Sequence, residues 1–310
     1  MASIFSKAKT LFKSRNYKEL FKKTADYVRF IAVKIWFAAT LKETDSDLKE
    51  VNKNWIFCTY LKAKYKRFLA NYKRIENKTH EYSDYVWWCW LQGEENAPDL
   101  CKACLRSIRT ECPEKEIIVI TENNYSDYVS FPDFIIEKYQ KGLISKTHFS
   151  DLLRLQLLIT HGGTWIDSTC YLTEKPDYIF DNPLFVFQNK ERGDDSIMAS
   201  NWLISSEKYN PILVLTRDMI FNWWKKHNHL YHYFFFHFFF HLACEFYKGE
   251  FNKTPFFSNL PCHVMQRELF NQFDQKRFEQ IKKMSAVHKL TYKFGNKEIA
   301  ETIYEYLLKN

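Results

Sequence analysis

Ser150-Asp151-Leu152-Leu153-Arg154, followed after a short apolar run by His161-Gly162-Gly163-Thr164-Trp165-Ile166-Asp167-Ser168-Thr169, decides how this 310-residue chain is read. Ser145 or Thr147 stands where a helix is capped, and Leu152, Leu153, Leu155, Leu157, Leu158 and Ile159 give that helix a buried side. Gly162 falls where a helix ends in a left-handed residue, and Thr164-Trp165-Ile166 reads as a strand ending at Asp167. The chain has only seven glycines, so two together predict a tight helix-to-strand turn with close backbone approach. His148, Asp151 and Arg154 stand three residues apart and share one helix face. The same face can be presented beside Asp167 at the carboxyl end of the strand, where ligands of open α/β sheets bind. A carboxylate there can hold a divalent metal or a hydroxyl, and Arg154 can pair with phosphate or fix Asp151. An ordinary Asp–Arg helix pair has the same spacing, and spacing does not separate the two.

Upstream, Tyr85-Val86-Trp87-Trp88-Cys89-Trp90 reads as a strand bounded by the turn Gln92-Gly93-Glu94-Glu95-Asn96. A helix follows, with Pro98 in its first turn and Leu100, Cys101, Cys104, Leu105 and Ile108 on one face. Pro113 ends it, and residues 116–121 form a second buried-type strand. Strand, helix, strand opens a parallel α/β sheet, so the main domain is residues 82–310.

Residues 1–81 are a basic helical extension. Residues 1–80 hold 19 Lys+Arg against 7 Asp+Glu, a net charge of +12 in a chain whose total is +8. The remainder is therefore mildly acidic. Ile4, Phe5, Ala8, Leu11, Phe12, Tyr17, Leu20 and Phe21 recur at helical spacing among the lysines. Such a stretch suits an anionic membrane surface, or equally a helical hairpin packed on the main domain. The apolar run from Phe30 to Leu41 is broken by Lys34 and is too short for a span. No signal-peptide core opens the chain, so the eight cysteines are expected as free thiols in a reducing cytoplasm.

The Ser-Asp-x-x-Arg and Gly-Gly-x-Trp-Ile-Asp strings together resemble the sugar-binding region with the Asp-x-Asp motif of a large glycosyltransferase group, most closely its bacterial capsular polysaccharide synthesis branch. The likeness extends to Trp90-Leu91-Gln92-Gly93-Glu94-Glu95-Asn96-Ala97-Pro98, to Asn201-Trp202-Leu203-Ile204 and to Pro261-Cys262-His263-Val264-Met265-Gln266, covering roughly residues 82–270. It implies an α/β, GT-A-type fold: a Rossmann-like sheet flanked by helices. It also implies a nucleotide diphosphate sugar as donor, a glycan or lipid-linked glycan as acceptor, and transfer with retention of configuration in capsular or other surface polysaccharide synthesis. The expected location is cytoplasmic, peripheral on the inner face of the plasma membrane.

Carried over by residue, the resemblance gives Asp151, Arg154 and Asp167 the catalytic positions. Trp90, Gln92, Gly93, His148, Gly162, Gly163, Thr169 and Asn201 line the donor, with Trp90 stacking the base. Asp167 and His263 are the expected ligands of a divalent metal, Mn or Mg. The chain departs from the pattern at Thr169, where the motif has its second aspartate. A hydroxyl is a poorer ligand for such an ion than a carboxylate, so either a metal held by Asp167, His263 and the diphosphate, or cations such as Arg154, would balance the leaving group. Thr169 also motivates a second reading, a non-catalytic scaffold of the same fold.

Other signals point to packing. Cys101-x-x-Cys104 has no second ligand pair and sits on an apolar helix face. The aromatic run Tyr231–Phe246 contains His237 and His241 at helical spacing without the glutamate of a zinc helix, and reads as a core helix. Nucleic acid is not expected as a partner, because the main domain is acidic and has no Gly-aromatic RNA-binding signature.

Overall fold

The structure, a computed structural model, describes residues 28–33, 35, 46–77, 80–189 and 196–309, with 46–50 described by backbone alone. The chain divides into two compact units, residues 1–72 and 73–310. In the first, helix α1 (Ser46–Ala70) buries Phe57, Cys58, Leu61 and Tyr65 at helical spacing, and Phe30 meets the Phe57 and Tyr60 rings edge-on. The basic amphipathic stretch 1–45 otherwise lies outside the described residues. Among the described residues no helix is long and apolar enough to cross a membrane.

In the second unit, the aromatic run forms strand β1 (Tyr85–Cys89), whose Val86, Trp87 and Trp88 are buried. Helix α2 (Asp99–Glu111) crosses over to β2 (Glu116–Ile120), which pairs parallel with β1. The expected apolar face of α2 is its buried face, and Cys101 and Cys104 are free core thiols, the Cys101 thiol pushed up to about 11 by burial. Helix α3 (Lys146–His161) then leads into β3 (Gly163–Ile166), which pairs parallel with the other edge of β1. Strands β4 (Cys170–Leu172), β5 (Leu184–Gln188) and β6 (Ala199–Ser206) follow.

The central sheet has the order β2-β1-β3-β6-β5. Strand β6 runs antiparallel to both its neighbours, so the fold is mixed α/β with a mostly parallel five-stranded sheet flanked by helices. The crossover from β1 places β2 on one side of it and the next, from β2, places β3 on the other, which makes the carboxyl ends of β1 and β3 a topological switch point. Helices α4 (Pro211–Lys226) and α5 (Phe235–Phe246) pack with α3 and the sheet and bury Trp223, Trp224, Phe238 and Phe239. Near the C-terminus, β7 (Val287–Lys289) pairs antiparallel with β4 in a separate two-stranded ladder.

Candidate active site

Two glycines set the site. Gly162 has φ 69° and Gly163 φ 89°, both in the region that favours glycine. A Cβ on Gly163 would lie 2.4 Å from the Tyr85 carbonyl oxygen, so the approach of β3 to β1 requires its absence. Trp87 Nε1 donates to the Gly162 carbonyl at 2.9 Å and holds the turn from below. At the other end of α3 the Ser145 hydroxyl accepts from the His148 N–H. The helix is thus fixed at both ends, and its Asp151–Arg154 face is set against the carboxyl end of β3.

Arg154 is almost wholly buried. Its Nη1 donates to Asp151 Oδ1 at 3.0 Å and its Nη2 to Asp167 Oδ1 at 2.9 Å, while the guanidinium lies 4.7 Å from the centre of the Trp165 ring. Asp151 Oδ1 also accepts from Asn201 Nδ2 at 2.9 Å. The register of β6 against β3, with Leu203 opposite Ile166, brings Asn201 just past the end of β3. Asp167 Oδ1 also accepts from Trp165 Nε1 at 2.7 Å. The structure therefore joins Asp151, Arg154, Asp167 and Asn201 in one network. Within it Arg154 bridges the carboxylates, the second of the two roles its position allowed.

The other oxygen of Asp167 meets a residue that sequence reading did not select. Lys289 Nζ donates to Asp167 Oδ2 at 3.0 Å and to the hydroxyl of Thr169. Cys170 stands opposite Lys289 in the β4–β7 ladder, and the Leu290 N–H donates to the Thr169 carbonyl at 2.8 Å, so the lysine is carried on paired backbone. Burial works to raise the Asp167 pKa, but the Lys289 and Arg154 charges outweigh it and hold the carboxyl below its ordinary value. Burial would lower Lys289, yet Asp167 beside it keeps the ammonium above its ordinary pKa. Asp151 goes the other way. Burial pushes it up to about 6, with Arg154 opposing and Asp167 adding to the rise.

The remaining expected residues are dispersed around this network. Trp90 follows the end of β1, with its ring edge-on to Tyr292 at 5.5 Å and its Nε1 buried without a hydrogen-bond partner. Gln92 is exposed in the same loop, and Gly93 has φ 94°. His148 Nδ1 pairs with Ser145 Oγ at 2.8 Å, and its ring lies edge-on to Tyr233. His263 Nδ1 pairs with Gln266 Oε1 at 3.0 Å, and its ring lies edge-on to Trp202.

Helix α5 is core, as its apolar content predicts, and His237 is half-buried within it. Its Nδ1 is shielded from solvent without a hydrogen-bond partner among the described residues, and the ring lies in the field of Arg154 and Asp167; burial and then the Arg154 charge take its pKa down to about 3, so it is neutral.

The divalent ion implied by the resemblance takes about six oxygen ligands in an octahedral set. Here one carboxylate already faces two cations, and the Thr169 hydroxyl faces an ammonium. Among the described residues no group of three or more His, Cys, Asp and Glu gathers where it could hold a metal. The residues present do not fit the ion.

A family model described as capsular polysaccharide synthesis protein matches residues 38–307. A solved structure titled PaToxG glycosyltransferase is similar at a TM-score of 0.40 and 13% identity, covering 75% of this chain and 95% of that one. No curated protein sequence matches the chain. The family match spans most of the chain, Lys289 included, and the chain belongs to the capsular polysaccharide synthesis family.

Proposed function

We propose that this member of the capsular polysaccharide synthesis family is a glycosyltransferase of GT-A type, moving a sugar from a nucleotide diphosphate donor to a glycan or lipid-linked glycan acceptor. The observation that supports it is the buried Asp151–Arg154–Asp167–Asn201 network at the switch point of the sheet. Glycosyl transfer requires a sugar ring held by its hydroxyls and a leaving diphosphate stabilised as charge develops on it. Asp151 uses only Oδ1 inside the network among the described residues, leaving Oδ2 for a sugar hydroxyl. Trp90 with Tyr292 offers an aromatic surface for the base beyond the end of β1. Retention of configuration belongs to the same reading through the resemblance. A lipid-linked acceptor at the inner membrane face agrees with the net charge of +12 on residues 1–80.

The test is nucleotide release from a panel of UDP-, GDP- and CDP-sugars, with and without cell-membrane acceptor extracts. Turnover by the wild type is expected with at least one donor, and Asp167→Ala should lower it by roughly 10²–10³-fold. Donor binding without turnover on any acceptor would instead indicate a scaffold. Release from no donor, together with full polysaccharide production by Asp167→Ala cells, would sink the proposal.

A further inference from the structure

We infer that the Lys289 ammonium takes the place of a divalent cation at this site, and binds the donor diphosphate directly. The inference rests on the glycosyltransferase reading and adds to it a residue that contacts the donor. Three observations support it. First, the ammonium sits between Asp167 Oδ2 and the Thr169 hydroxyl, the two side chains of the Asp167-Ser168-Thr169 turn that would otherwise face a metal. Second, charge balances there. Asp151 and Asp167 face Arg154 and Lys289, two carboxylates against two cations, and with a hydroxyl at position 169 no further carboxylate calls for a divalent ion. Third, the lysine is both held and reachable. Its backbone is fixed in the ladder opposite Cys170, yet its side chain keeps 18% of its surface exposed, against 4% for Arg154.

The donor count agrees. An ammonium has three N–H donors. Asp167 and Thr169 take two, and among the described residues no acceptor takes the third. A phosphate oxygen arriving at the carboxyl end of β3 would complete the set. Arg154 keeps N–H donors of its own, its Nε having no hydrogen-bond partner among the described residues, but its side chain is almost wholly buried between the carboxylates, so the more exposed Lys289 is the cation an arriving phosphate meets. Leaving-group stabilisation then falls to Lys289, which would strengthen its bond to the diphosphate as the glycosidic bond breaks and negative charge moves onto the phosphate oxygen.

The experiment measures binding of UDP, of GDP and of CDP by calorimetry to the full-length protein, in excess EDTA or in millimolar Mn²⁺. The inference expects one of them to bind the wild type equally, within about twofold, in both conditions. It expects Lys289→Met to bind about tenfold more weakly or worse, without rescue by Mn²⁺, and Lys289→Arg to keep most of the affinity. Wild-type binding that Mn²⁺ tightens by about tenfold or more would overturn the inference while leaving the transferase reading intact. Wild-type-like affinity in Lys289→Met would do the same. Binding of none of the three in either condition would overturn the transferase reading, and this inference with it. The wild-type comparison of EDTA with Mn²⁺ needs no variant, so a poorly folding Lys289→Met leaves the question decidable.

Discussion

Asp167 is held from two sides, and the sides differ in kind. Oδ1 is met by Trp165 and Arg154, two and thirteen residues away along the chain, in a setting closed to solvent. Oδ2 is met by Lys289, 122 residues away, in a setting that remains partly open. The near side is fixed by a helix, a glycine turn and a strand end. The far side depends on two three-residue strands finding each other. The contrast suggests that the near side sets the geometry of the site, while the far side meets the ligand.

Removing the cation on each side separately sharpens that contrast. Arg154→Met leaves Asp151 and Asp167 as neighbouring carboxylates without the guanidinium between them, and should cost about 3–5 kcal/mol of unfolding free energy, read by urea denaturation. Lys289→Met leaves Asp167 with Arg154 and Trp165, at a rim where solvent can reach the freed oxygen, and should cost about 1 kcal/mol. Equal losses, or a larger loss for Lys289→Met, would contradict the division between a structural and a ligand-facing side.

The same contrast governs what could be read from the sequence. The Ser145 cap, the buried face of α3, the paired glycines and Asp167 at the strand end are local patterns, and all were legible. So was the approach of Asp151, Arg154 and Asp167, since helix spacing and one short turn fix it. Lys289 gave no signal, because Val287-His288-Lys289 resembles any short strand and its partner is chosen only by the folded chain. The reversed direction of β6 was likewise hidden, although Asn201 itself was picked out by resemblance. His237 was read as part of a core helix, but its nearness to Arg154 and Asp167 was not, because apolar periodicity reports which face is buried and not which charges it faces.

The near side also has a purely backbone element, and breaking it should have an intermediate effect. Gly163→Ala puts a methyl 2.4 Å from the Tyr85 carbonyl at a φ of 89°, so β3 must move from β1 or change its backbone. A destabilisation of about 2 kcal/mol or more is expected. Because the turn places Asp167, turnover should fall along with stability, and donor-binding enthalpy with it. An alanine variant with native stability and turnover would show that the turn relaxes without moving the site.

The smallest effect separates the two carboxylates by pH. Asp151 has a folded pKa of about 6 against 3.8 in the ordinary state, so between those values the folded protein keeps a proton that the unfolded chain has released. Stability from this group therefore falls as pH rises through that window. Asp167 is held below 3.8, so its contribution is already complete above that value and is lost only as pH falls further. Asparagine imitates the protonated acid at either position. The stability of wild type relative to Asp151→Asn should thus decline from pH 4 to pH 6 by on the order of 1 kcal/mol, after allowance for solvent at the carboxyl rim. Relative to Asp167→Asn it should stay level over the same range. Urea titrations at intervals across that range give both curves. A level curve for Asp151→Asn would mean that Arg154 and Asn201 keep Asp151 ionised despite its burial, making the two carboxylates alike.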